Sequence, residues 1–447
     1  MTPTTRLRRL VVGIAAAAML VTGCSTPAAN PSSAAPEEKA ELVFRTWDDN
    51  AAKAYEQTFA KFTAANPGIT VKTEVVAWAD YFTKLRTDVA GGTAPDIFWL
   101  NNANLAAYAR NGNLVDIDAT LGADAQKAWA PSVVKQFTVD DKLWGVPQTS
   151  DGGIAVYYNK KLVADAGLTE ADISKLAWSP SGGENSLLSV TQKLTKDANG
   201  KTADQSGFDP KRVKQWGYNA AYDLQAIYLP FIGSNGGTYQ NGDTFTFSNP
   251  KTVEALTYLV KLINTYHVAP SAADTNTNGD FSRDQFIQGK MALFQSGLYN
   301  LANVESGATF DWGVVNLPAG PAGAISVTNG VAVVGSAASK HAAAVAKLLA
   351  YLGTADGNSA IGSTGANLPA VTAAQQGYKD YWASKKVDLT PFFSVLDNGT
   401  IPAPTGENFA AGFQAYDPIL QEIFLGRKDV AAGLAEADAA ANKAIQG

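Results

Sequence analysis

Residues 42–102 alternate between strand and helix patterns and read LVFRTWDDNAAKAYEQTFAKFTAANPGITVKTEVVAWADYFTKLRTDVAGGTAPDIFWLNN. The runs 42–47, 69–76 and 95–100 have the alternation or the apolar content of β-strands, and polar or turn residues follow them. The helix patterns between them have apolar faces formed by Tyr55, Phe59 and Phe62, and then by Phe82, Leu85 and Val89. Short links between strand and helix are typical of βαβ units, so this stretch predicts an α/β fold with a parallel sheet.

The rest of the chain continues the pattern. Apolar helices are predicted over 253–263, 341–352 and 429–445, and a buried strand over 330–334. The stretch 179–214 is polar and rich in glycine, and we expect it to be a surface excursion. A chain of 447 residues exceeds the size at which a single core stops growing, so two lobes are expected.

Aromatic residues stand beside polar residues at several predicted strand ends. These groups are Trp47 with Asp48 and Asp49, Trp78 with Asp80 and Tyr81, Trp99 with Asn101 and Asn102, and Tyr299 with Asn300. Ligands of open α/β sheets bind beyond the carboxyl ends of the strands. Rings can stack on the C–H faces of a sugar while carboxylates and amides bind its hydroxyls. Core packing is the commoner role of any single tryptophan, so only the set of residues indicates a sugar site.

The N-terminus has the layout of a secretory signal. Three arginines, Arg6, Arg8 and Arg9, precede an apolar run, and Thr22 and Gly23 precede Cys24, the only cysteine of the chain. This arrangement resembles a bacterial lipobox, in which the cysteine receives a diacylglyceryl group and becomes the first mature residue. We therefore predict a signal peptide over 1–23 and a flexible tether over 24–40, with the export route, Sec or twin-arginine, left open.

Composition and motifs argue against several classes of function. The net charge is −6 and there is no basic tract, which argues against a nucleic-acid partner. His267 and His341 are isolated in the sequence, so no metal site is expected. The nucleophile elbow, the zinc-protease motif and the P-loop are all absent from the sequence, and no cofactor or catalytic residue is predicted.

Four blocks in order resemble the extracellular solute-binding proteins of sugar ABC importers, the maltose-binding-protein class. They are APDIF (94–98) with GNLVD (112–116); LWGVP (143–147) with VYYNKKL (156–162) and AGL (166–168); 286–299, containing QGKMA and SG; and DWG (311–313) with LP (317–318). The similarity runs from Leu42 to Ile445.

The resemblance implies a two-lobed periplasmic-binding-protein-like α/β fold of type II, with the ligand cleft between lobes that are joined by crossover hinges. The implied first lobe is 41–152 with 326–372, and the second is 153–325 with 373–447. The implied function is capture of a di- or oligosaccharide and its delivery to ABC permease subunits. The protein would work as a monomer, anchored by lipid to the outer face of the cytoplasmic membrane.

The resemblance also implies which residues contact the ligand. The set is Trp47, Asp48, Asp49, Trp78, Tyr81, Asn101, Asn102, Asp151, Gly237, Tyr239, Tyr299, Asn329, Gly330 and Phe413. Tyr299 stands where relatives have a tryptophan, so the stacking platform at Tyr299 should be smaller than in those relatives. Asn101 and Asn102 stand where relatives often have an acidic residue.

Two alternatives of other classes remain open. A secreted glycosidase would need two carboxylates about 5–10 Å apart, which Asp48, Asp49 and Asp151 could supply. A receptor for another solute, such as a polyamine or a metal ion, is the second alternative. Tyr157 and Tyr158 argue against a ferric site, because neighbouring residues of a strand point to opposite faces.

Overall fold

A computed structural model describes residues 39–150 and 152–446 of the chain. The predictions for the signal peptide, for Cys24, for most of the tether and for Asp151 lie outside these residues. The described strands, in chain order, are β1 (Ala40–Thr46), β2 (Ile69–Val75), β3 (Ile97–Asn101), β4 (Thr138–Val139), β5 (Lys142–Leu143), β6 (Val146–Thr149), β7 (Ile154–Asn159), β8 (Lys196–Asp197), β9 (Val213–Gln215), β10 (Gln240–Asn241), β11 (Thr244–Phe245), β12 (Leu293–Gly297), β13 (Trp312–Val315) and β14 (Val331–Gly335).

The helices lie between and after these strands. They are α1 (Asp49–Ala65), α2 (Trp78–Ala90), α3 (Asn102–Arg110), α4 (Ile117–Leu121), α5 (Pro131–Gln136), α6 (Lys160–Asp165), α7 (Glu170–Ile173), α8 (Ser186–Leu194), α9 (Leu229–Ser234), α10 (Pro250–Asn264), α11 (Ala272–Thr275), α12 (Phe281–Ile287), α13 (Leu301–Gly307), α14 (Ala342–Leu352), α15 (Ala355–Ser363), α16 (Gln375–Ser384), α17 (Thr390–Ser394), α18 (Phe409–Phe424) and α19 (Val430–Ala444). Short 3₁₀ turns and one π-helical turn, Leu224–Tyr228, complete the described segments.

The sheet of the first lobe has the strand order β2-β1-β3-β14-β6. Strands β2 and β3 pair with β1 in parallel, which confirms the βαβ prediction for this stretch. Strand β14, which lies outside that stretch, is antiparallel to both β3 and β6, so the sheet as a whole is mixed. A crossover helix forces neighbouring strands to be parallel, and β14 is not joined to β3 or β6 by such a unit.

The core of the first lobe lies between this sheet and its helices. Phe44 is fully buried, and its ring lies 4.6 Å from that of Tyr55 on α1. Helix α1 buries Tyr55, Phe59 and Phe62, as the helical spacing predicts. Helix α2 differs from the prediction, because it buries Tyr81 and Leu85 and leaves Phe82 only partly buried.

The second lobe is built on the antiparallel sheet β12-β7-β13. Every residue of β7 is buried, because both faces of the strand are covered. Tyr158 belongs to one hydrophobic cluster and Tyr157 to another, so the two rings lie on opposite faces as predicted. The larger cluster runs from Ile154 to Val327 and from Val395 to Ala441, whereas the first-lobe cluster runs from Ala40 to Val146 and from Ala332 to Ala374.

The segments that connect the two lobes meet at Ser326. The backbone N–H of Ile154 donates to Ser326 Oγ at 2.8 Å, and the N–H of Ile401 donates to its carbonyl at 2.8 Å. The N–H of Gly153 donates to the carbonyl of Phe392 at 2.6 Å. Three chain segments therefore cross side by side, while the lobe boundaries given above stay a prediction.

Candidate functional site

An aromatic cluster forms where β1 ends. The ring of Trp47 lies 5.2 Å from Trp78, 4.9 Å from Tyr81 and 5.0 Å from Trp99, and all three pairs are edge-on. Trp99 is buried, whereas 53% of Trp78 is exposed. The cluster therefore has a core end at Trp99 and an open end at Trp78, where a ring is available to a ligand.

Asp48 begins α1 and is held by it. Its carboxylate accepts hydrogen bonds from the backbone N–H groups of Asn50 at 2.8 Å and Ala51 at 3.0 Å. Asn367 Nδ2 donates to its other oxygen at 3.3 Å. Burial raises the pKa of Asp48 although these hydrogen bonds oppose the change. Asp48 is thus an N-cap at the strand end, and its neighbour Asp49 is exposed.

This end of the first lobe faces the second lobe directly. Asn50 Nδ2 donates to Asn303 Oδ1 at 3.1 Å, and Asn303 lies on α13. Asn303 in turn donates to Asn300 Oδ1 at 3.3 Å, and Asn300 donates to Ser296 Oγ at 2.8 Å. A chain of amides therefore runs from the end of β1 to the segment that contains Tyr299, which packs partly buried against the second-lobe core.

A second approach of the two lobes occurs where β3 ends. Asn101 is buried and accepts a hydrogen bond from Asn104 at 2.8 Å. Asn102 Nδ2 donates to the carbonyl of Pro404 at 3.1 Å. Phe413 lies on α18, partly buried, with its ring 5.3 Å from Tyr416.

The returning segment 329–330 also contacts both lobes. The N–H of Gly330 donates to Gln136 Oε1 at 2.7 Å in the first lobe, and Asn329 Nδ2 donates to Gln225 Oε1 at 3.4 Å. Gln225 belongs to the π-helical turn, whose N-cap Asp223 accepts a hydrogen bond from the N–H of Ala226. Burial raises the pKa of Asp223, and the charge of Asp280 acts in the same direction. Helical turns of this type are frequent at functional sites.

Three of the predicted site residues are packed into the structure. Tyr81 is fully buried, and its hydroxyl donates to the carbonyl of Trp99 at 2.8 Å. Tyr239 is buried, and its hydroxyl lies 2.5 Å from that of Tyr416. Gly237 packs on α10, where a Cβ atom would lie 2.6 Å from Thr252 Oγ1. Tyr81 and Tyr239 therefore pack as core residues and Gly237 lies against α10, and the role of all three as ligand contacts stays a prediction.

Sequence reasoning overlooked several polar residues that the structure brings to these surfaces. They are Asn50, Asn303, Asp223 and Gln225. Asn50 directly follows the predicted Asp48–Asp49 pair, so its position was available as a signal. The others lie in helical segments of the second lobe, and no pattern in the sequence distinguishes them from ordinary surface polar residues.

Within residues 39–150 and 152–446, no group of three or more His, Cys, Asp or Glu side chains is arranged to hold a metal ion. No helix in this part of the chain is long and apolar enough to cross a bilayer.

Two α/β lobes joined by three crossing segments, with rings and amides on their facing surfaces, define a two-lobed binding protein. Comparison with known proteins agrees. The chain belongs to the family of bacterial extracellular solute-binding proteins, whose match covers residues 46–359.

Three individual proteins illustrate the similarity. UspC of Mycobacterium tuberculosis is 54% identical, with a TM-score of 0.71 over 91% of this chain and 100% of that chain. A maltooligosaccharide ABC transporter solute-binding lipoprotein of Streptococcus pneumoniae is 24% identical over 96% of this chain and 93% of its own length. The maltose/maltodextrin-binding domain MalE of Bdellovibrio bacteriovorus, bound to maltotriose, is 18% identical with a TM-score of 0.76 over 91% of this chain and 100% of that chain, which shows the shared fold.

Proposed function

We propose that this protein is a lipid-anchored extracellular receptor that captures a di- or oligosaccharide and delivers it to an ABC permease. The family is one of solute-binding proteins, and relatives named for maltooligosaccharides and bound to maltotriose favour a sugar as the solute. We propose that the protein acts as a monomer without enzymatic activity.

The observation that carries the proposal is the approach of two chemically suitable surfaces. The hydrogen bond from Asn50 to Asn303 brings the strand end with Trp47, Asp48 and Asp49 opposite the segment with Tyr299. Exposed Trp78 adds an apolar ring at the same end of the first lobe. Rings that stack on C–H faces and amides that bind hydroxyls are the two groups that a sugar needs.

The proposed mechanism is closure of the lobes about the crossing segments near Ser326. A ligand that contacts both lobes binds the closed state better than the open one and so shifts the population towards closure. The closed form would then be the one that the permease accepts. The hydrogen bonds from Asn50 and Asn102 to the second lobe support a closed state that the protein itself can stabilise.

The anchor is proposed from the N-terminal sequence. Cys24 after Thr22 and Gly23 would carry the diacylglyceryl group, and residues 25–40 would link it to the folded body. Stable attachment needs more than one acyl chain, which a diacylglyceryl cysteine provides. The pneumococcal relative is also named a lipoprotein.

The test is a thermal-shift screen of residues 39–447 against maltose-series, mannose-series and chitobiose-series oligosaccharides, with peptides and polyamines as other solutes. A ligand at 100 times its dissociation constant adds about 2.7 kcal/mol of stability, which is a shift of several degrees. Stabilisation by a peptide or an amine but by none of the sugars would contradict the proposal. New reducing ends after incubation with the oligosaccharides would indicate the glycosidase alternative instead.

A further inference from the structure

An ion pair joins the two lobes away from the candidate ligand contacts. Arg110, the last residue of α3, donates from Nη1 to a carboxylate oxygen of Glu407 at 3.1 Å. Tyr108 and Ala109 belong to the first-lobe core, whereas Phe409 belongs to the second-lobe core. The pair therefore crosses from one lobe to the other, and among the ion pairs of residues 39–150 and 152–446 it is the one that does so.

Arg110 is held in place by its own lobe. Its Nε and Nη2 atoms donate to the two oxygens of Asp140 at 2.9 and 3.0 Å, a bidentate arrangement that fixes the plane of the guanidinium. Asp140 and Asp141 form the turn between β4 and β5, and both have a positive φ, 52° and 59°. Positive φ at both central residues is the usual backbone of a two-residue hairpin turn, and aspartate tolerates it, so the turn holds Asp140 at the end of the hairpin.

The same helix contacts the same second-lobe segment at both of its ends. Asn102 at the start of α3 donates to the carbonyl of Pro404, and Arg110 at its end binds Glu407. Ala103 of α3 also packs against the second-lobe core. Both ends of α3 thus contact the segment 404–407. The ion pair with Glu407 lies at the C-terminal end of the helix, away from Asn101 and Asn102.

We propose that Arg110, positioned by Asp140, and Glu407 form a latch that stabilises the closed arrangement of the lobes in the absence of ligand. The inference rests on the proposed opening and closing of the lobes. The side chains of Arg110, Asp140 and Glu407 are 38%, 61% and 46% exposed. The ion pair between Arg110 and Glu407 is therefore weak. An exposed pair of this kind changes an equilibrium constant about two- to fivefold, which is enough to alter the closed fraction of a balanced two-state protein.

The test uses the ligand-free body, residues 39–447, which contains no native cysteine. Glu56→Cys on α1 and Lys211→Cys in the second lobe introduce two exposed labelling sites, and spin labels there report the distribution of interlobe distances. Glu407→Gln removes the charge of the latch with little change in shape. Asp124→Asn is the matched control, because it removes an exposed ion pair with Lys127 inside the first lobe.

We expect Glu407→Gln to reduce the ratio of closed to open molecules about two- to fivefold at low salt, and Asp124→Asn to leave it unchanged. In an Arg110→Gln background, Glu407→Gln should have no further effect, because the partner is already absent. An unchanged distance distribution in Glu407→Gln would overturn the latch, as would an equal effect of Glu407→Gln in the Arg110→Gln background. Since no sugar is used, failure of the sugar screen would leave this result intact, and the reverse also holds.

Discussion

Trp78 is a ligand contact predicted from the sequence, and the structure leaves its ring exposed. It begins α2, half of its side chain is exposed, and its ring lies 5.2 Å from both Trp47 and Phe82. An exposed ring that packs at its edge against other rings offers an apolar face on which a ligand can stack. Its position therefore fits a stacking platform better than a core residue.

Trp78→Ala should weaken binding of any sugar found in the screen at least about tenfold, because the stacking surface is lost. Isothermal titration calorimetry would measure the change. The free energy of unfolding should fall by only about 1 kcal/mol, since the ring is largely outside the core.

Val75→Ala is the control for this experiment. Val75 is also exposed, 41%, and lies three residues before Trp78 at the end of β2. Its substitution should leave the dissociation constant unchanged. Equal affinity of Trp78→Ala and the unmodified protein would remove Trp78 from the ligand site.

Arg45 shows how a charge is held inside the first lobe. Its side chain is 3% exposed and donates to Glu74 at 2.9 Å and to Asp88 at 2.6 Å. Burial alone would raise the pKa of Asp88, but the hydrogen bonds from Lys84 and Arg45 outweigh it and lower this pKa. A carboxyl group whose pKa is lowered by folding stabilises the folded state above its unfolded pKa, and this contribution is lost as the pH falls through the folded value.

Asp88→Asn should lower the free energy of unfolding at pH 7 by about 2 kcal/mol, because Arg45 loses one charged partner. The difference from the unmodified protein should shrink as the pH falls below the ordinary aspartate pKa of about 4, because the unfolded chain is protonated first, and it should be lost once the pH has also fallen through the lowered pKa of Asp88 in the folded state. Urea unfolding at several pH values would measure it. The exposed Asp49→Asn is the control and should have little effect at neutral pH, and a pH-independent loss for Asp88→Asn would contradict the electrostatic explanation.

At the scale of elements, the close packing of the crossing segments explains why residues 152 and 153 are both glycine. A Cβ atom on Gly153 would lie 2.3 Å from Val395 Cγ1 and 2.8 Å from Ser326 Oγ, and one on Gly152 would lie 2.5 Å from Leu298 Cδ1. The segments can therefore pack side by side only when residues 152 and 153 have no side chain.

Gly153→Ala should destabilise the protein by about 1–3 kcal/mol, because the added methyl group would overlap the side chains of Val395 and Ser326 and force them to move. The midpoint of urea unfolding would report the loss. Gly279→Ala is the comparison, since no atom lies within 4 Å of a Cβ at that position, and it should be close to neutral. A neutral Gly153→Ala would mean that the crossing segments adapt more readily than their packing indicates.

Some elements followed from the sequence and others did not. The faces of α1 and the three parallel strands were predictable because local periodicity determines them. The stretch 179–214, expected as a surface excursion, instead contains α8, whose Leu187 and Leu194 are fully buried. The helix was missed because the residues on either side of it are polar. Some of these polar residues bind the backbone of the loop: Asp197 accepts hydrogen bonds from the N–H groups of Asn199, Lys201 and Asp209.

The structure also shows what one residue of a sequence motif does in the fold. Asp96 of the APDIF block accepts hydrogen bonds from the N–H of Val43 at 2.9 Å and from Ser339 Oγ at 2.5 Å, so it ties three segments of the first lobe together. A sequence motif marks a position in the fold, and the hydrogen bonds of Asp96 indicate that this residue of the motif stabilises the first lobe.

At the scale of the whole molecule, the proposed location depends on Cys24. Cys24→Ser should abolish incorporation of labelled palmitate and release the protein from the cell membrane into the soluble fraction, because the only acylation site is lost. Immunoblotting of membrane and soluble fractions would measure it.

Ser25→Ala is the control for this experiment and should leave the protein in the membrane fraction. Palmitate incorporation into the Cys24→Ser protein would contradict the assignment of Cys24. Release of the Ser25→Ala protein would show instead that the substitutions disturb processing in general.

The sequence by itself determined the class of fold, and it carries the predictions of the strand ends where a ligand site would form and of the N-terminal processing signal. These depend on local periodicity and on motif order along the chain. Only the tertiary structure decided which aromatic residues are buried and which are exposed: Tyr81 lies in the core and Trp78 does not. It also decided that Asn50 meets Asn303 and that Arg110 meets Glu407, because such pairs lie about 250 and 300 residues apart and only the packing of two lobes brings them together.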